Sequence, residues 1–199
     1  VGTVLKLTDV RLSYPRLDTP DYFQGVKSKA TDKRRWSAAF HIAKSDTAQI
    51  NKTMAAIEAE AKGKWGNKAA AILKGIMVDP KGCCYADGEL KDAPDVMILT
   101  AHKNEDTGPP LVYDNDKSPI YDKVSREIIK GKEGRLFAGC YVDAQVEIWP
   151  QDNKMGKGIR ATLLIVQRRR IGEAFSGGSA PNPDDFDEIE EGADADDVS

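Results

Sequence analysis

Apolar and polar side chains alternate from the first residues of the chain. Over residues 3–14 (TVLKLTDVRLSY), Leu5 and Leu7 hold one phase and Val10, Leu12 and Tyr14 the other. The change of phase at Asp9 predicts one long strand carrying a bulge, with Pro15 as its end. Residues 16–33 read as a loop that closes on Lys33-Arg34-Arg35. Trp36, Ala38, Phe40 and Ile42 then alternate with Ser37, Ala39 and His41, which predicts a second strand. Ser45 or Asp46 can cap a helix through about residue 62. Its stripe of Ile50, Met54, Ile57 and Ala61 turns one face to a core. Asn67 opens a shorter helix over Lys68–Lys74. Residues 75–95 hold Gly, Pro and Asp and read as loop with short extended pieces.

Asp95–Ala101 (DVMILTA) predicts a buried strand, residues 104–119 another loop, and Ile120–Ile129 fits a strand or a short helix equally. Leu136–Trp149 carries the strongest strand signal. Cys140, Val142, Ala144, Val146 and Ile148 face one way, and Tyr141, Asp143, Gln145, Glu147 and Trp149 the other. Pro150–Gly158 is a connection rich in turn formers, and Gly158–Arg169 returns as a strand. Roughly half a dozen strands with one helix between early and late ones predict a β-rich α+β fold. The expected architecture is a small, partly closed antiparallel barrel with an inserted helix, and the OB-fold is the member of that class suited to an oligonucleotide. Residues 1–175 form this domain. Residues 176–199 begin SGGSAPNP and become acidic, a flexible linker and a disordered acidic tail.

Charge sharpens the division. Nine of the 32 acidic side chains lie from Asp184 onward, with no Lys or Arg among them. The chain as a whole is −3, but the body before the tail carries about +6. A basic body with an acidic tail suits a polyanion partner for the first and a regulatory or protein-directed role for the second. No run approaches the roughly 18–20 apolar residues that span a bilayer, and the first residues lack the layout of an export signal, so no membrane partner is expected. The three cysteines make no paired knuckles, and His41 and His102 show no evident partner, so neither a disulfide framework nor a metal or other cofactor is expected.

Single strands are held by a cationic groove with aromatic platforms. Three places mix the two residue types. They are Lys33-Arg34-Arg35-Trp36, the outer strand face with Tyr141 and Trp149, and the following hairpin with Lys154, Lys157 and Arg160. Arg168-Arg169-Arg170 adds charge at the end of the last strand. Trp36 shares phase with Phe40 and Ile42, so core packing competes with stacking there, and Tyr141 and Trp149 could instead cover the helix. In the tail, Asp184, Asp185, Phe186, Asp187, Glu188 and Ile189 combine acid and apolar groups suited to a partner's basic groove. A competing reading is a metal-dependent nuclease using Asp143, Glu147 and Asp152. A phage structural or interaction subunit is another.

Several stretches together resemble a family of phage-encoded ssDNA-binding proteins typified by an Enterobacter-phage protein. They are Arg11–Leu17 (RLSYPRL), Trp36–Lys44 (WSAAFHIAK), Ala138–Ala144 (AGCYVDA), Gln151–Ala161 (QDNKMGKGIRA) and Gly172-Glu173-Ala174-Phe175 before the linker. The resemblance implies an OB-fold core and sequence-tolerant binding of single-stranded DNA in phage replication or recombination. It further implies no cofactor and a tail that contacts replication proteins; no catalysis is expected, because the sequence shows no second acidic cluster with motif spacing. The expected location is the cytoplasm of the infected bacterial host, and a homodimer is an admissible state.

Overall fold

The computed structural model describes residues 2–22, 25–27, 29–30, 32–79 and 81–175. The acidic segment with Asp184, Asp185, Phe186, Asp187, Glu188 and Ile189 lies outside the described residues.

Strand β1 (Thr3–Asp21) pairs with two neighbours in turn. Its first half lies against β6 (Tyr141–Asn153), from Thr3–Ile148 to Arg11–Tyr141, and its second half against β2 (Arg35–Ala43). The bulge expected at Asp9 is there. Asp9 sits at φ 53°, and the register with β6 shifts between Leu7 and Val10. This moves Val10 and Leu12 into the core phase that Leu5 and Leu7 occupied; all four are at most 2% exposed. Pro15 does not end the strand. It falls in the register shift between the Ser13–Ala39 and Arg16–Ser37 pairs, beside Tyr14 at φ 45°, where a missing N–H removes no ladder bond.

Helix α1 (Thr47–Trp65) starts at Asp46, whose carboxylate accepts the Gln49 N–H at 3.0 Å, and stops at Gly66 with φ 55°. Ile57 and Ala61 are fully buried. The helix lies along the side of β1 that β2 leaves unpaired: Gln49 bonds the main chain of Thr8, Lys52 the carbonyl of Lys6, and Glu60 the hydroxyl of Thr3. A short 3-10 turn leads into α2 (Ala69–Met77). Strand β3 (Tyr85–Asp87) borders β4 (Val96–Asn104), which pairs with β2 along its full length. Strand β5 (Leu111–Tyr113), inside the predicted loop, lies parallel to β7 (Gly156–Arg170). Residues 120–129 form neither alternative; Tyr121 and Ile128 make an isolated bridge among turns. The strand expected from Leu136 begins only at Tyr141, after Gly139 at φ 116°. The hairpin turn is shorter than expected, because β6 and β7 stay paired out to Asn153 and Gly156, with Pro150 opposite Ile159.

The sheet order is β3-β4-β2-β1-β6-β7-β5, and β4 also meets β7 in parallel through His102 and Thr162. That contact closes β1, β2, β4, β7 and β6 into a five-stranded barrel. Residues 82–84 extend the seam, since Cys84 donates to the Ile159 carbonyl at 2.8 Å and the Cys84 carbonyl accepts from Thr100 at 2.8 Å. This is the OB-fold arrangement. Phe40, Ile42, Leu99, Val142, Val146, Ile148, Ile159 and Leu163 fill the interior. Among the described residues, no helix is long and apolar enough to cross a membrane.

Candidate nucleic-acid interface

Strand alternation that buries Ala38, Phe40 and Ile42 turns Arg35, Ser37, Ala39 and His41 to the outside of β2. The registers carry this outer line across the sheet. Ile98 of β4 stands opposite His41, His41 opposite Arg11 of β1, Arg11 opposite Tyr141 of β6, and Tyr141 opposite Arg170 of β7. The side chains meet in the same order. The Arg170 guanidinium lies 3.4 Å from the centre of the Tyr141 ring, and that of Arg11 lies 5.8 Å from it. Arg11 also lies 4.1 Å from the ring of Phe175, which packs on His41 at 4.8 Å and 43°. Cation and aromatic ring thus alternate over the width of the barrel, the composition that holds stacked bases and their phosphates.

Beside this row, Ser13 and Ala39 are 4% and 6% exposed and form a floor of small side chains. Residues 91–96 wall the floor on one side and Tyr14, Ala138 and Phe175 on the other, enclosing a groove of ≈ 800 Å³. Tyr14 stands 80% exposed at the rim. The Arg11 guanidinium is held by main-chain carbonyls, those of Gly139 at 3.3 Å and Glu173 at 2.6 Å, and these leave its positive charge in place. Burial, then the charges of Arg11 and Lys91, lower the pKa of His41. Arg169 and Arg170 are tied to Asp143 and Asp9. The row therefore presents Arg11 as its uncompensated cation.

The chain is similar in sequence to a protein named p50 of Acyrthosiphon pisum secondary endosymbiont phage 1, 34% identical over 190 residues and covering 93% of both chains. Residues 3–198 match the family described as Enterobacter phage Enc34, ssDNA-binding protein. The chain belongs to that family. Its fold is shared by the single-stranded DNA-binding protein of bacteriophage Enc34 in complex with ssDNA, with a TM-score of 0.66 at 23% identity over 87% of this chain and 89% of that one. It is also shared by gp2.5, a single-stranded DNA-binding protein encoded by bacteriophage T7, with a TM-score of 0.56 at 12% identity over 98% and 100%.

The residues expected from sequence fall in three places on this Enc34-type barrel. Tyr141 is in the transverse row. Trp149 stands eight residues further along β6, roughly 27 Å away for an extended strand. Its indole N–H donates to Thr162 at 3.0 Å, and it walls a second cavity of ≈ 670 Å³ with Glu60, Gly63 and Lys64 of α1. Nearby, Lys157 pairs with Asp152 at 2.6 Å, and Lys154 is exposed at the hairpin tip. Arg160 reaches back to the carbonyls of Lys81 and Gly82 at 2.9 and 3.1 Å, clamping the seam of the barrel. At the β1–β2 end, Lys33 pairs with Asp106 and Arg34 with Glu105. Arg35 is half-buried close to Arg160, and burial followed by that like charge lowers its pKa.

Trp36 requires a correction. It is 6% exposed, and its N–H donates to the Asp18 carbonyl at 3.2 Å, so neither ring face is open to a base. Of the two readings its phase with Phe40 left open, core packing is the one observed.

The carboxylates of the nuclease reading are held apart. Asp143 binds Arg169 and the Asp9 N–H, Glu147 the Gly2 N–H, and Asp152 both Lys157 and the Trp65 indole. Among the described residues, no group of three or more His, Cys, Asp or Glu side chains is placed to hold a metal ion. Arg11, His41 and Phe175 were missed in the sequence. The signal lay in the outward phase of β2, where Ser37 and Ala39 leave the sheet surface bare beside His41.

Proposed function

We propose that this chain coats single-stranded DNA with little sequence preference during bacteriophage DNA replication or recombination, acting as a binding protein without catalysis. The observation that carries the reading is the row Arg170–Tyr141–Arg11–His41 laid across the outer barrel face beside an open groove. Rings stack with any base, and the Arg11 guanidinium donates to phosphates. The kinship with the Enc34 protein, whose structure is known with ssDNA, supports it. Tyr141 and Trp149 bracket a path of a length consistent with the roughly 4–16 nucleotides that an OB-fold covers.

In this reading the body, residues 1–175, holds DNA, and residues 176–199 compete with DNA for the basic face and contact replication or recombination proteins. A second copy in a homodimer and action in the cytoplasm of the infected host belong to the same proposal. Fluorescence anisotropy of a labelled oligothymidine against its duplex, across a salt series, tests it. The expected result is single-strand preference, with log affinity falling linearly with log salt by about 0.7 per phosphate neutralised. Absence of binding at low salt would overturn it.

A further inference from the structure

We propose that Arg11 and His41 form a nucleobase subsite, which Phe175 fills from within the chain until DNA replaces it. This rests on the single-strand reading above. Phe175 does no work in the core. It lies outside the finished barrel, half-buried, beyond the last residue of β7 and after the segment Ile171–Ala174, which joins no strand. Its ring instead takes the two contacts that an unstacked base takes from a protein, an arginine plane at 4.1 Å and a histidine ring at 4.8 Å.

The route of the segment is built in. Gly139 and Gly172 pass so closely that a Cβ on either would collide with the other's neighbourhood, and this close pass lays residues 172–175 over the face. Few bonds hold the segment there: the Phe175 N–H donates to the Ala138 carbonyl at 3.0 Å, and the Glu173 carbonyl accepts from Arg11 at 2.6 Å. A base entering the same place would regain the stacking that Phe175 gives up, so the exchange costs little. The groove continues past the ring over Ser13 and Ala39, which leaves room for the adjoining nucleotides. The nine carboxylates from Asp184 onward follow Phe175 in the chain.

Two full-length variants test this. Phe175→Ala is expected to bind oligothymidine with a Kd roughly two- to fivefold lower, the contribution of an exposed cation–π contact. Phe175→Trp reports the exchange directly. After subtraction of the signal from the three native tryptophans, the introduced indole should shift to the red and become more accessible to acrylamide when the oligomer is added. A Kd unchanged or raised by Phe175→Ala, or an indole that becomes less accessible, would overturn the inference while leaving the single-strand reading intact. Failure of the wild-type chain to bind would remove both.

Discussion

Tyr141 carries the Arg170 guanidinium close over its ring, at 3.4 Å, with that of Arg11 further off at 5.8 Å, and this arrangement decides what its loss should do. Neither guanidinium depends on Tyr141 for its other bonds: Arg11 keeps the Gly139 and Glu173 carbonyls, and Arg170 keeps Asp9. Tyr141→Ala should therefore weaken oligothymidine binding about tenfold, within the range for one lost stacking platform, and leave the melting temperature nearly unchanged. A large fall in melting temperature with intact affinity would mark the ring as structural. His102 gives a stability prediction with a definite sign. Burial, then Arg35 and Arg160, drives its pKa down to about 4. An unfolded imidazole titrates near 6.5, so the unfolded chain binds more protons between those values and stability falls as pH drops from about 6.5 towards 4. His102→Gln should flatten that part of the profile, as read by denaturant unfolding at pH 7 and pH 5. At this scale the sequence was a partial guide. Phase told inward from outward, but not that the outward His41 would meet Phe175, a residue 134 positions away, because a contact between an outer face and a returning segment leaves no local periodicity.

Elements with a strong period were legible. The bulged β1, β2, α1 and the β6–β7 pair all stand where alternation or the helical stripe placed them, apart from their ends. What escaped was pairing that depends on sites distant in sequence: three-residue β5, the parallel β4–β7 contact that closes the barrel, and the packing of residues 111–135. That last segment is pinned by one buried charge. Asp114 is fully buried, with Lys132 at 2.8 Å, Arg135 at 3.0 Å and Arg168 of β7 at 3.5 Å. Burial acts to raise its pKa, but the bond from Lys132 and the neighbouring charges outweigh that, and the net shift is downward. Removing its charge strands Arg168, which is 8% exposed. Asp114→Asn should thus cost about 3 kcal/mol of stability, the range for breaking a buried ion pair from one side. Equilibrium urea unfolding measures it, and a loss below about 1 kcal/mol would show that β5 and its loop are held by packing alone.

Charge is distributed over the whole molecule so that the body and the acidic segment answer salt differently. The described residues carry a complete barrel core of their own, so deleting residues 176–199 should leave the melting temperature intact while removing all nine terminal carboxylates. The remaining chain, at about +6, should bind oligothymidine more tightly by roughly an order of magnitude at low salt. The gain should shrink as salt rises, because the Debye length falls from about 10 Å at 0.1 M to about 3 Å at 1 M and the tail's field is screened. Equal affinity with and without the tail at every salt concentration would leave the segment no role as a competitor. Combining the deletion with Phe175→Ala separates field from contact. If the acidic segment excludes DNA only as a diffuse charge, the two changes act on different groups and their effects on log Kd add. If the carboxylates are brought to the groove by the ring seated on Arg11 and His41, one change already accomplishes part of the other, and the double variant should gain less than the sum.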